Sequence, residues 1–347
     1  MAISQVDYLI LFAITFLVVG VLTPIARRVA IKHNVMDAPT TAHKTHKNPV
    51  PYLGGVAIII GISIVPIAAL LWRHAPAHNF WLALSVIAPA LVLGLIGLWD
   101  DLHNLSALSR FIAQTLAGIF TASLLVISDT VGNPTGSRFF DIAITILWIV
   151  GISNSINFFD NLDGGAAGTV AVTSLGLILI GNHNHQYFIT SFASVTAGAM
   201  IGFLLWNKSP ARIYMGDAGA LFLGVLIASL TVRVHPDVSG KLNSFAVPLL
   251  LLGTPILDTS VAVTSRLKRR ISPFQGGRDH LSHRLIRAGV TRPIAAVLLW
   301  ILSGFFALCA ALITMTNAGT GHFLIAIALT AWVGLFIFFI RSPDSDS

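Results

Sequence analysis

The chain has 347 residues, 55% of them hydrophobic and only 10% charged, well below the roughly 25% charge of a soluble domain. A mean hydropathy of +0.83 describes a polytopic membrane protein that is span for almost all of its length, and excludes a soluble globular enzyme or a nucleic-acid-binding module. Net charge is +7, every one of the 14 acidic residues is Asp, and the single cysteine, Cys309, excludes an internal disulfide.

The first apolar run, Tyr8 to Val21, has no basic residue before it and is followed by Arg27, Arg28 and Lys32. That is a signal-anchor layout rather than a cleavable leader. A spanning helix needs about 20 mostly apolar residues. Eleven segments qualify, near 7–29, 54–72, 80–99, 106–127, 139–157, 165–181, 187–206, 218–233, 244–265, 293–315 and 321–340. Lysine and arginine set their orientation. With the N-terminus outside, only Arg73, Arg138, Arg233 and Lys241 fall outside, and every other Lys and Arg falls in the cytoplasm. The expected architecture is therefore all-α, with about 11 transmembrane helices, N-out and C-in. The outer loops are short and plain, whereas the unusual polar clusters share the cytoplasmic side.

The first cytoplasmic loop reads DAPTTAHKTHKNPVPYLGG, from Asp37 to Gly55. Its Lys44 and His46 suit an anionic ligand, or hold the loop near anionic lipid headgroups. Next comes Asp100-Asp101. Adjacent carboxylates repel, so the pair suits a divalent cation or a base of raised pKa. Arg110 follows in the first turn of the next helix, where the helix dipole disfavours a cation and a nearby phosphate would compensate; snorkelling to the interface is the plainer alternative.

Between the fifth and sixth segments lies GISNSINFFDNLDGGAAGT, residues 151–169. Polar groups at membrane depth are costly, so such a cluster marks a site. Asn154, Asn157 and Asp160 recur every three residues and share a helical face, which Asp163 extends. Their oxygens suit Mg²⁺ or Mn²⁺, although Asp163 could equally cap the sixth helix. Asp217 is an N-cap candidate, or lies where Gly216 and Gly219 let an anionic ligand approach the backbone, and Tyr214 suits stacking on a planar base or a place in the aromatic belt. The last cytoplasmic loop is the longest and most basic. There Arg278, His280, His283 and Arg284 suggest a cationic wall for a diphosphate, since the HxxH lacks the glutamate and third ligand of a zinc site. Asp258, inside the ninth segment, is a further candidate because it is an intramembrane carboxylate. An acidic centre with a basic rim suits phosphoryl transfer, in which charge spread over phosphorus oxygens must be neutralised.

These motifs, in order, resemble the polyprenyl-phosphate N-acetylhexosamine-1-phosphate transferase family. The resemblance rests on HKNPVPYLGG, Asp100-Asp101, NSINFFDNLDGGAAG, YMGDAGALFLG, PILDT and SPFQGGRDHLSHRL, from Asp37 to Arg284. It implies one transmembrane catalytic domain over 1–347, ending in a short polar cytoplasmic tail at 342–347, in the plasma membrane. It further implies transfer of a sugar 1-phosphate from a UDP-sugar to polyprenyl phosphate, with UMP released and Mg²⁺ as cofactor. By resemblance, Asn157 and Asp217 are the metal ligands, and Asp100 or Asp101 deprotonates or positions the lipid phosphate. Asp160 and Asp163 line the nucleotide side, Tyr214 stacks on uracil, and Lys44, His46, Arg110, Arg278, His280, His283 and Arg284 bind substrate. A homodimer is compatible with this reading, and nucleic acid is not a partner. The chain departs from the family pattern at Asn104, at Ser282 and at Gly277. The loop before Arg284 also lacks the pattern of the MurNAc-pentapeptide branch, which is the alternative reading. A cation-coupled transporter would instead spread its polar residues through the midplane.

Overall fold

A bilayer offers no water to backbone amides, so an apolar segment must close its hydrogen bonds internally, as a helix. The computed structural model describes residues 4–37, 49–103, 105–127, 135–238, 240–273 and 277–342. In order its elements are α1 (Gln5–Lys32), β1 (Met36–Asp37), β2 (Val50–Pro51), α2 (Gly54–Trp72), α3 (Ala77–His103), α4 (Ala107–Ile127), α5 (Arg138–Phe159) and α6 (Gly165–His183). There follow α7 (Tyr187–Asn207), α8 (Gly216–Val232), α9 (Lys241–Leu251), α10 (Gly253–Lys268), α11 (Leu281–Arg287), α12 (Arg292–Met315) and α13 (Ala318–Arg341). Lys44, His46 and Asn104 lie outside the described residues, as does most of the polar tail.

Each of the eleven apolar segments forms helix, but not all in one form. Among the described residues nine helices are long and apolar enough to cross a membrane. The ninth segment is broken into α9 and α10, bent by 74°. Leu252 is the joint, and Gly253 and Pro255 follow it at once. The eighth segment, α8, has only 17 residues, about 25 Å of rise against a hydrocarbon core of about 30 Å.

That short helix is the centre of the bundle. Every residue from Ala218 to Thr231 is buried, as expected of a helix apolar on all sides. It packs against α2, α3 and α5. Glycine lets its neighbours come close. A Cβ on Gly97 of α3 would stand 2.4 Å from the Asp217 carbonyl oxygen, and one on Gly55 of α2 would stand 2.3 Å from the Gly219 nitrogen. Helices α1 and α13 lie at the periphery, with 17% and 11% of their apolar windows buried. Cys309 is buried in the core beside Phe306 and Ala328, as a small apolar residue would be.

The cytoplasmic-side segments of the sequence reading meet at one end of the bundle. There α3, α5 and α7 finish, α4, α6 and α8 begin, and the β1–β2 ribbon lies alongside. The ribbon is antiparallel, with Met36 opposite Pro51 and Asp37 opposite Val50. Tyr214 N donates to Pro51 O (2.8 Å), while Gly54 N and Gly55 N donate to Tyr214 O and Met215 O (3.0 and 2.9 Å). The loop before α8 is thus laced to the loop before α2 through backbone bonds.

Candidate active site

Asp217 is the point of convergence. It sits in the first turn of α8, with a side chain 27% exposed. Asn157, near the end of α5, donates its amide to Asp217 Oδ1 at 2.9 Å. Arg110, in the first turn of α4, donates to Oδ2 at 3.1 Å. The same guanidinium nitrogen lies 3.0 Å from Asp100 Oδ2. Three helix ends and one arginine therefore bring two carboxylates and an amide together, from positions 57 to 117 residues apart in sequence.

The two adjacent aspartates do different work. Both oxygens of Asp101 are taken by the start of α8: Oδ1 accepts from Asp217 N (2.9 Å) and Oδ2 from Ala218 N (3.1 Å). Asp101 is an N-cap supplied from another helix, satisfying amides that α8 leaves open and placing negative charge at the positive end of its dipole. Tyr52 fixes the cap by donating its hydroxyl to Asp101 O at 2.6 Å. Gly216, at φ +69°, makes room, since a Cβ there would meet Asp101 Oδ2 at 2.6 Å. The reading of Asp217 as the N-cap is corrected: Met215 holds that position without a side-chain bond. In Asp100, Oδ1 accepts from Leu105 N (2.6 Å), but the buried Oδ2 has no hydrogen-bond partner among the described residues, only the ion pair with Arg110.

Asp160 closes α5 as its C-cap and is half-buried. Burial first, then the Asp217 and Asp163 charges, push its carboxyl up from 3.8 to about 7. A carboxyl raised on folding stabilises the protonated fold, so its contribution is full below about pH 4 and is lost as pH rises to about 7. Without divalent cations, Asp160→Asn is therefore expected to raise Tm relative to wild type at pH 8 and to leave it unchanged near pH 4. Thermal unfolding across pH checks this, and an equal effect at both pH values would contradict it.

Asp163 does not cap α6, contrary to one reading of the sequence. Gly164 occupies that position at φ +71°, and Asp163 Oδ2 accepts from Ala211 N at 3.1 Å. Asn207, a residue the sequence reading missed, completes this tie. It accepts from Gly164 N and donates to Ile213 O, both at 3.0 Å, and is buried. Trp300 of α12 donates to Gly164 O at 3.0 Å. Tyr214 stands over this region half-buried. Burial, then the Asp163, Asp37 and Asp160 carboxylates, push its phenol well above the usual range, so it stays neutral.

The basic loop divides in two. Asp258, fully buried in α10, accepts from Leu281 N and contacts His280 Nδ1, both at 2.7 Å. Arg266 faces the other imidazole nitrogen at 3.2 Å. Arginine has no acceptor, so Nε2 accepts and Nδ1 carries the proton given to Asp258. Arg266 also donates to Asp279 Oδ2 (3.0 Å) and Pro273 O (2.8 Å). Arg284 is buried, donating to Asp279 O, Phe339 O, Ser342 O and Ser265 Oγ. Its bonds are structural ties, so the expected substrate contact by Arg284 has no free guanidinium face behind it. His283 is half-buried beside His280, with ring centroids 6.3 Å apart. Burial, then His280, push it down to about 4, so it is neutral at pH 7. Ser282 donates to Asn161 Oδ1, which binds this loop to the 160s. Arg278 is half-buried in the same loop.

Among the described residues no three His, Cys or Asp side chains are grouped as a preformed metal cage. A Mg²⁺ ion keeps several waters and uses one or two carboxylates together with substrate phosphates. Asp217, the Asn157 amide oxygen and the unbonded Asp100 Oδ2 are the hard oxygen donors that fit it.

The model of "Glycosyl transferase family 4" matches residues 83–235. The chain is 30% identical over 342 residues to a protein of Bacillus subtilis described as a probable undecaprenyl-phosphate N-acetylglucosaminyl 1-phosphate transferase, covering 97% of this chain and 89% of that one. It is 31% identical to decaprenyl-phosphate N-acetylglucosaminephosphotransferase of Mycolicibacterium smegmatis, covering 92% and 85%. It is 29% identical to phospho-N-acetylmuramoyl-pentapeptide-transferase of Lacticaseibacillus paracasei, over 62% and 68%.

Proposed function

Because the chain belongs to glycosyl transferase family 4, among the polyprenyl-phosphate N-acetylhexosamine-1-phosphate transferases, we propose that it moves GlcNAc 1-phosphate from UDP-GlcNAc to a polyprenyl phosphate and releases UMP. The observation that carries this is similarity over 97% of the chain to a polyprenyl-phosphate GlcNAc-1-phosphate transferase, against 62% for a pentapeptide-branch relative. The positive charge beside the loops at the Asp217 end favours a site facing the cytoplasm, with the N-terminus outside.

In this reading Asn157 and Asp217 hold Mg²⁺, with Mn²⁺ as a substitute, and Asp100 Oδ2 completes the donor set or meets the lipid phosphate. When bound, the ion neutralises the diphosphate and polarises the attacked phosphorus. Arg110 turns from Asp217 towards a phosphate oxygen. Asp100 takes or holds the proton of the lipid phosphate, whose oxygen attacks the β-phosphorus in line while UMP leaves. One phosphoanhydride replaces another. Asp160, Asp163 and Tyr214 line the nucleotide, and Arg278 and His283 face the diphosphate and sugar. His280, expected to bind substrate, is buried with both ring nitrogens taken by Asp258 and Arg266, and orders the loop instead. A homodimer and the identity of the hexosamine belong to the same proposal.

Purified protein with UDP-GlcNAc, Mg²⁺ and polyprenyl phosphate is expected to release UMP, and EDTA to stop it. Absence of UMP with every UDP-N-acetylhexosamine would overturn the reading.

A further inference from the structure

At the end of the bundle opposite Asp217 lies a cavity of about 740 Å³, between the start of α5, the end of α8 and the start of α9. It falls within the range of small-molecule sites. Its buried polar group is Asp141, in the first turn of α5 and 2% exposed. Asp141 Oδ1 accepts from Thr135 N (3.1 Å) and Thr135 Oγ1 (2.7 Å). Its Oδ2 has no hydrogen-bond partner among the described residues. A buried, unsatisfied carboxylate oxygen is costly, and a cation with N–H donors is its natural complement.

The walls are fixed. Trp148 is held by its indole N–H to Thr231 Oγ1 at 3.2 Å. The backbone at His235 is pinned by Asn184 and Gln186. Along the opposite rim, Gly240 at φ +97° starts α9 without any side-chain cap, and Lys241 follows it. That rim offers an ammonium to an anion. Asp237 also lines the cavity, so two carboxylates face one lysine, and a net negative ligand is disfavoured. On the flank, Ile144, Phe245 and Leu249 are 50%, 42% and 49% exposed, an apolar margin suited to acyl chains.

We propose that this cavity binds a zwitterionic phospholipid with a primary-amine headgroup, the ammonium meeting Asp141, the phosphate meeting Lys241, and the chains lying along Ile144, Phe245 and Leu249. A choline headgroup lacks the N–H donors that Asp141 needs, and a glycerol headgroup leaves the carboxylate facing a net anion. The site is independent of the phosphoryl chemistry at the other end.

The test uses full-length protein in detergent micelles, titrated with phosphatidylethanolamine, phosphatidylcholine or phosphatidylglycerol, with thermal unfolding as the readout. Phosphatidylethanolamine is expected to raise Tm most, and Asp141→Asn to erase that preference by weakening its apparent affinity about tenfold. Lys241→Gln, at an exposed position, is expected to weaken it as well, and carries the test if Asp141→Asn does not fold. Equal stabilisation by all three lipids, or a preference that survives both substitutions, overturns the proposal. Stabilisation by polyprenyl phosphate alone, unchanged in Asp141→Asn, would assign the cavity to a substrate tail and overturn it equally.

Discussion

Asp217→Asn is expected to lower kcat for UMP release on the order of 10³-fold while leaving Tm nearly unchanged. The side chain receives Asn157 on one oxygen and Arg110 on the other. Asparagine keeps the shape but removes the charge that a Mg²⁺–diphosphate complex requires. A loss of roughly 4 kcal/mol of transition-state stabilisation corresponds to that factor. The fold should survive, because Asp101 caps α8 through the backbone N–H of residue 217 and not through its side chain. The Mg²⁺ concentration for half-maximal activity should also rise. Full Mg²⁺-dependent turnover in the variant would remove Asp217 from the metal.

The second large effect separates neighbours. Asp101→Ala leaves two amides of the buried α8 without acceptors and is expected to cost roughly 3 kcal/mol, read as a fall in Tm. Asp101→Asn should fall between, since only one of its two side-chain atoms accepts. Asp100→Asn keeps its Oδ1 bond to Leu105 N and should keep Tm, yet lose on the order of 10²-fold in kcat. A variant pair in which Asp101→Asn keeps Tm but loses kcat, and Asp100→Asn does the reverse, would exchange the two roles.

Helix positions were legible because each depends on about 20 contiguous residues. The break at Leu252 was not, because apolar residues continue across it from Phe245 to Leu257; only Gly253 and Pro255 signalled it. Polar clusters revealed which residues mattered, since their cost at membrane depth is local. Their assignments were obscure because the partners are distant. Asp163 reads as a helix cap until Ala211 N is seen bonded to it. Nothing in Asp100-Asp101 says that one member caps a helix starting 115 residues later. Asn207 carries no motif, but it ends an apolar run, and Tyr52 stands inside HKNPVPYLGG two residues before Gly54-Gly55, so position alone could have flagged both.

By burial, α13 is the most peripheral helix, and it would pass for a dispensable anchor. Yet Phe339 O at its end and Ser342 O just beyond accept the buried guanidinium of Arg284. A deletion that removed these carbonyls would strand a positive charge in the interior, next to the Asp279–Arg266 pair that steadies His280. For anyone shortening or tagging the protein, damage from a cut that removes Phe339 or Ser342 should surface as lost catalysis as well as lost insertion.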